Sequence, residues 1–170
     1  MKTFIYAFVF SSLLAAAGGA VIVPLLKKFK LGQNILGYVK EHGYKSGTPT
    51  MGGVIFVFSA VIIFFAFSRG NKSLAAVSAA IGGAYMLVGF VDDFIKIKLA
   101  RNEGLNPLQK TVFELAIAVV VSVYCYKRGL TRIYIPFGGG TVDFGGFFVP
   151  FCIFAFLATT NSVNLTDGLD

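Results

Sequence analysis

Two adjacent aspartates, Asp92 and Asp93, are the residues of this chain with the clearest potential for chemistry. They end an uncharged apolar run from Leu74 to Val91, which as a helix would be roughly 27 Å long, close to the hydrocarbon thickness of a bilayer. The pair is therefore expected at a membrane surface. Carboxylates at a helix C-terminus face the negative end of the helix dipole, so helix stability alone does not explain them. Either a cation is bound there, or Asp92 pairs with Lys96 one turn on and Asp93 is solvated.

A second group of oxygen-bearing side chains lies near the end of the chain. Its members recur every third residue, so neighbours share a helix face: Asn161, Asn164, Asp167 and Asp170. Gly168 is expected to end the helix before the last of them. Such groups at the end of a membrane helix suit Mg²⁺, which takes carboxylates together with substrate phosphates. The alternative is ordinary helix capping, which explains any one of the four better than all of them.

A third feature is the start of the second apolar segment. Thr48 as N-cap and Pro49 as first helical residue predict a helix whose free backbone N–H groups would form an anion site. Lys45 is placed to contact a phosphate, whereas His42, the one histidine, is interpreted as a solvated loop residue. Gly52 and Gly53 favour close approach of another helix.

The composition is that of a membrane protein. Apolar residues make up 56% of the 170-residue chain and charged residues 14%, with a mean hydropathy of +0.77, too apolar for a water-soluble core. The net charge of +7 is spread over short runs between apolar segments, which favours lipid head groups and anionic substrates over nucleic acid. Cys125 and Cys152 have no metal-binding or redox spacing.

Five apolar segments, near residues 4–26, 50–68, 74–91, 111–126 and 144–165, predict an all-α integral membrane protein of about five transmembrane helices in one domain, 1–170. The first resembles a secretory signal but runs on past Ala20, which favours a retained helix. Glu114, inside the fourth segment, is expected to mark the membrane edge or to face inward. Within residues 132–144, the segments on either side of three glycines alternate in side-chain character as strands do. This pattern predicts a small extracytoplasmic β-hairpin rather than a phosphate loop.

Charge predicts the orientation. Nine basic residues fall on the side of residues 27–49 and 92–110, against six on the other, which puts the first side in the cytoplasm and the N-terminus outside. All acids except Asp143 lie on that first side, and acid placement does not follow from insertion rules. A carboxylate cluster, a helix N-terminus and lysines near lipid head groups together indicate Mg²⁺-assisted phosphoryl transfer to a lipid phosphate.

Three stretches resemble, in order, the signatures of the phospho-N-acetylmuramoyl-pentapeptide transferase family: Ser46-Gly47-Thr48-Pro49-Thr50-Met51-Gly52-Gly53, Gly89-Phe90-Val91-Asp92-Asp93-Phe94, and residues 161–170. The resemblance implies a ten-helix bacterial inner-membrane enzyme, expected to be a homodimer. It would move phospho-MurNAc-pentapeptide from UDP-MurNAc-pentapeptide onto undecaprenyl phosphate, giving lipid I and UMP in peptidoglycan synthesis.

The resemblance also assigns residues. Asp92 and Asp93 would be catalytic, with Asp92 the proposed base, although an ordinary Asp is a weaker base than the dianionic phosphate it would serve. Mg²⁺ would be held by Asp93 and Asp167. The positions matching those that bind substrate are Lys45, Thr50, Lys96, Lys110, Asn164, Asp167 and Asp170. Direct displacement and an aspartyl intermediate both fit these residues.

The chain ends within the third signature and covers about the first half of the family's length. We therefore expect it to be a fragment that is inactive alone. Three alternatives are a related polyprenyl-phosphate N-acetylhexosamine-1-phosphate transferase, a transporter subunit, whose acids would lie nearer the bilayer midplane, and a non-catalytic scaffold.

Overall fold

The computed structural model describes residues 2–28, 50–67, 72–99, 104–135 and 138–167. These form five helices, α1 (Lys2–Lys28), α2 (Gly53–Phe67), α3 (Lys72–Lys98), α4 (Pro107–Lys127) and α5 (Phe148–Asp167), and two strands, β1 (Arg132–Ile135) and β2 (Gly140–Asp143). The all-α membrane architecture with a small hairpin is therefore confirmed. The chain divides into two compact units, residues 1–106 and 107–170, while the expectation of a single domain stays a prediction.

Within the described residues, α1, α3, α4 and α5 are long and apolar enough to cross a membrane. The remaining helix, α2, is shorter, with 15 residues, and contains no charged side chain. Large apolar side chains point outward along these helices, as at Phe8, Val120 and Phe154, each at least 70% exposed. Apolar surface of this extent is typical of helices that contact lipid or other apolar helices, and together with helix length it fits membrane-spanning segments.

The first unit packs α1 against α2 and α2 against α3. Gly18 lets α1 approach Ile55, since a methyl group at Gly18 would lie 3.3 Å from that side chain. At the other end of the pair, the rings of Phe10 and Phe67 are 5.9 Å apart. These two contacts make α1 and α2 antiparallel, with the small-residue contact typical of helices in membranes.

The second unit packs α4 against α5, with the hairpin between them in the chain. Ala118 and Ser122, one turn apart on α4, are fully buried, and the Ser122 hydroxyl donates to the Ala118 carbonyl at 2.6 Å. This bond satisfies a hydroxyl that would otherwise be costly to bury. Small residues therefore form the centre of the helix pair.

The hairpin is antiparallel, with Arg132 opposite Asp143. Gly139 has φ of +66° in the turn, a conformation that glycine adopts without strain. The Thr131 hydroxyl donates to Asp143 Oδ1 at 2.6 Å and the Gly145 N–H to the same oxygen at 2.9 Å. These bonds, the Thr131 bond foremost, hold the pKa of Asp143 below its ordinary value.

Candidate active site

Asp92 and Asp93 lie inside α3 rather than at its end. The helix continues to Lys98 and carries Lys96 and Lys98 in its last turn. The expectation that the pair ends the helix is therefore wrong. The physical reason is that the two lysines complement the negative end of the helix dipole and allow the helix to extend beyond its apolar run.

The pairing of Asp92 with Lys96 is confirmed. Lys96 Nζ lies 2.6 Å from Asp92 Oδ2, an i,i+4 ion pair. Asp92 is 8% exposed, and its other oxygen, Oδ1, accepts the Leu105 N–H at 2.8 Å. A buried carboxylate is tolerated only when charge and hydrogen bonds compensate it. Both oxygens of Asp92 have such a partner.

The expectation that Asp93 is solvated is wrong, because the start of α2 lies against it. The Met51 N–H donates to Asp93 Oδ2 at 2.8 Å. Lys96 Nζ reaches Asp93 Oδ1 at 3.4 Å, a longer contact than its bond to Asp92. The lysine thus bridges both aspartates, and the side chain of Asp93 stays 24% exposed.

The prediction for the start of α2 also needs correction. The helix begins at Gly53, and Met51 has φ of +69°, outside the helical region. This left-handed conformation is uncommon for a residue with a side chain. It accompanies the bond from the Met51 N–H to Asp93, so a carboxylate of the protein itself occupies this part of the expected anion site. Thr48 and Pro49 lie outside the described residues.

In the second unit, α4 and α5 are joined at two levels near the start of α4. Lys110 Nζ donates to Asn164 Oδ1 at 2.9 Å. One turn along α4, Glu114 is 4% exposed, which confirms the inward-facing alternative. Its Oε2 accepts from Asn161 Nδ2 at 3.0 Å and from Thr160 Oγ1 at 3.2 Å. Asn161 is thus a partner of Glu114, a role that the sequence analysis missed.

The remaining predicted site residues lie in several parts of the chain, and some fall outside the described residues. Thr50 is buried, at 9% exposure, directly before Met51. Asp167 is the last residue of α5, and its side chain is not described. Lys45, His42, Gly168 and Asp170 lie outside the described residues. Among the residues that the structure describes, no three His, Cys, Asp or Glu side chains form a metal cluster.

The donor chemistry near Asp93 nevertheless suits a hard cation. Mg²⁺ is usually held by one or two carboxylates together with substrate phosphates, rather than by a cage made only of protein groups. Among the described residues, Asp93 Oδ1 has the 3.4 Å lysine contact and is the less tightly held of that residue's two oxygens. The oxygen chemistry of Asp93 therefore fits a hard divalent cation that takes its other ligands from outside this cluster.

The fold and these residues define a membrane-embedded transferase family. Residues 74–170, more than half of the chain, match the family model of glycosyl transferase family 4, and the chain belongs to that family. Within it, residues 45–57 match phospho-N-acetylmuramoyl-pentapeptide-transferase signature 1. The two matched segments meet at the hydrogen bond from Met51 to Asp93.

Curated relatives carry the same name. The phospho-N-acetylmuramoyl-pentapeptide-transferase of Clostridium novyi (strain NT) is 42% identical over the whole chain and 53% of its own length. That of Thermoanaerobacter sp. (strain X514) is 40% identical over the whole chain and 54% of its own length. The Clostridium perfringens (strain 13 / Type A) protein is 42% identical over 98% of the chain and 53% of its own. The chain thus spans about half the length of these relatives. Its apolar helices and its bacterial relatives together identify it as a bacterial membrane protein.

Proposed function

We propose that the complete protein containing this chain transfers phospho-MurNAc-pentapeptide from UDP-MurNAc-pentapeptide to undecaprenyl phosphate. A phosphate oxygen of the lipid attacks the sugar-linked phosphorus of the nucleotide. The bond from that phosphorus to the bridging oxygen breaks, and UMP leaves with the oxygen and its electron pair. The products are lipid I and UMP.

The observation that carries this proposal is the cluster of the buried Asp92 with the half-buried Asp93 and Lys96. It lies in the segment that matches the glycosyl transferase family model, and Met51, from the signature segment, donates to it. A non-catalytic scaffold does not require two adjacent acids and a lysine at the end of an apolar run, with backbone N–H groups of two other segments donating to the acids. The curated relatives named phospho-N-acetylmuramoyl-pentapeptide-transferase support the assignment of the substrate.

The contacts support an orienting role for Asp92. Its two oxygens accept from Lys96 and Leu105, so it is held in place rather than presented to a proton. The lipid phosphate is itself mostly dianionic at neutral pH and needs little deprotonation. This favours direct displacement, in which Asp92 fixes the Lys96 ammonium beside the reacting phosphates and the lysine offsets the negative charge of the transition state.

Magnesium is the proposed cofactor, with Asp93 and Asp167 as its protein ligands. Bound there, it would neutralise charge on the diphosphate. Substrate binding is assigned to further residues by the family resemblance: Lys45, Thr50, Lys96, Lys110, Asn164, Asp167 and Asp170.

The proposed location is the bacterial inner membrane, with the active face and the Asp92 end of α3 in the cytoplasm. The N-terminus and the hairpin would then lie outside. This orientation rests on the excess of basic residues on the first side. A homodimer is proposed from the family resemblance alone.

The test is Mg²⁺-dependent release of UMP by the purified complete protein in detergent with undecaprenyl phosphate. We expect UMP and a lipid-linked product from UDP-MurNAc-pentapeptide, no reaction with EDTA, and no turnover by residues 1–170 alone. Equal or faster turnover of UDP-N-acetylglucosamine would instead assign the protein to the N-acetylhexosamine branch. Absence of UMP release from both donors would contradict the enzyme assignment.

A further inference from the structure

Gly104 and Leu105, referred to below as the loop, lie against Asp92. Gly104 is buried, and Leu105 next to it donates its N–H to Asp92 Oδ1. A Cβ atom at position 104 would lie 2.6 Å from Asp92 Cγ and 2.6 Å from the Asp92 carbonyl oxygen. Contacts this short do not occur between real side chains, so position 104 has no room for one.

Position 104 requires glycine because a side chain there would collide with Asp92. By contrast, a Cβ at Gly83 or Gly89, on the same helix as Asp92, would meet nothing within 4 Å. Alanine at position 104 thus tests the close approach to Asp92, and alanine at position 83 tests the same change where space is open.

The loop restrains the carboxylate on the side opposite its lysine. Lys96 holds Oδ2, Leu105 holds Oδ1, and Gly104 lies against Cγ between them. A carboxylate bonded at both oxygens and packed against backbone keeps one orientation. Enzymes gain rate when charged groups are fixed in this way before the substrate arrives.

We infer that Gly104 and the Leu105 amide are positioning elements that fix Asp92, and through it Lys96, for the phosphoryl transfer. The inference rests on the proposed function, because it assigns the loop a task in that reaction. Neither group need touch substrate. What the loop contributes is the orientation of the ion pair.

The first test is Gly104→Ala in the complete protein, with Gly83→Ala as the matched control on α3. A displacement of Asp92 by about 1 Å is expected to lower kcat about 100-fold, while the KM for UDP-MurNAc-pentapeptide changes less than about threefold. The control should keep kcat within about twofold. Wild-type kcat in a folded Gly104→Ala protein would overturn the inference, as would an effect confined to KM.

The second test needs neither activity nor a folded Gly104 variant. Amide hydrogen exchange, resolved by residue, is measured in Asp92→Ala and in Asp93→Ala. The inference predicts at least about tenfold faster exchange of the Leu105 amide in Asp92→Ala only, and of the Met51 amide in Asp93→Ala only, as each loses its acceptor. Unchanged exchange at Leu105 in Asp92→Ala would overturn it.

The two claims can fail separately. If Asp92→Asn is inactive while Gly104→Ala is fully active, the positioning role fails and the proposed function stands. If Asp92→Asn keeps full activity, the assignment of the Asp92 cluster as the active site fails together with the catalytic task of the loop, although the protein still performs the reaction. If the wild-type protein releases no UMP, the proposed function itself fails, whatever the exchange data show of the contact.

Discussion

Membrane helices of both units carry a buried acid, Asp92 in the first and Glu114 in the second, but the two are held by different groups. In the first unit, Asp92 and Asp93 share a lysine on their own helix and accept backbone N–H groups from two other segments. In the second, Glu114 accepts from the neutral side chains of Thr160 and Asn161 on the facing helix. The first arrangement gathers charge at one place, whereas the second joins two helices.

The difference indicates what each site is for. The Asn161 amide has two hydrogens and also donates to the Leu157 carbonyl of its own helix. The single Thr160 hydroxyl hydrogen is shared between Glu114 and the Phe156 carbonyl. The bonds to Glu114 therefore tie α5 to α4. The Asp92 cluster instead gathers two carboxylates around one ammonium, and its net negative charge suits a cation that is bound together with phosphates. We therefore expect changes in the first cluster to affect rate, and changes at Glu114 to affect stability.

The largest expected effect is that of Lys96→Met. Removing the ammonium leaves two carboxylates without their shared counter-charge and takes away a group that offsets transition-state charge. We expect kcat/KM for UMP release to fall about 100- to 1000-fold. Lys72→Met, at the other end of α3, is the matched control and should stay within about twofold. Similar rates for Lys96→Met and Lys72→Met would contradict a catalytic role for the Asp92 cluster, and with it the proposed difference from Glu114.

A smaller effect, of another kind, is expected from Glu114→Ala. Loss of the acceptor leaves a partly buried amide hydrogen of Asn161 unpaired, which should lower the free energy of unfolding by about 1–3 kcal/mol. Thermal unfolding in detergent measures this, with Glu114→Gln, which keeps an acceptor oxygen, as the milder variant. The kcat of folded Glu114→Ala should fall less than about tenfold. A large loss of kcat at unchanged stability would show that Glu114 belongs to the chemistry.

The smallest effect concerns the exposed acid of the hairpin. Since the pKa of Asp143 is lowered in the folded protein, its stabilisation is present above the ordinary aspartate value of about 3.9 and is lost as pH falls through the folded value. Exchange of the Gly145 amide should therefore be slower in wild type than in Asp143→Asn at pH 5, and the two should converge as pH falls below the ordinary aspartate value and through the lowered pKa of Asp143. A difference that does not shrink with falling pH would contradict this.

The local features of the site were predictable from sequence, and the long-range ones were not. Helix geometry alone places Lys96 beside Asp92, because the lysine follows the aspartate by four residues on the same helix. The bond from Met51 to Asp93 joins residues 42 apart and depends on a positive φ at a methionine, for which the residue type gives no signal. The bond from Leu105 to Asp92 likewise joins residues 13 apart, and the residue types give no signal for it. Sequence therefore identified the charged residues, but missed the backbone groups that orient them.

The helices and the hairpin were also predicted, because apolar length and alternation set them directly. The start of α2 was placed too early, since the capping pattern of Thr48 and Pro49 could not reveal that Met51 is committed to a carboxylate on another helix.

The most direct measurement is the initial rate of UMP release by three matched variants of the complete protein: Asp92→Asn, Asp93→Asn and Asp143→Asn. Each removes one negative charge at nearly constant volume, two from the cluster and one from the hairpin. We predict losses of at least about 100-fold for Asp92→Asn and Asp93→Asn, and a rate within about twofold of wild type for Asp143→Asn. Equal rates in all three would contradict the assignment of the cluster as the active site.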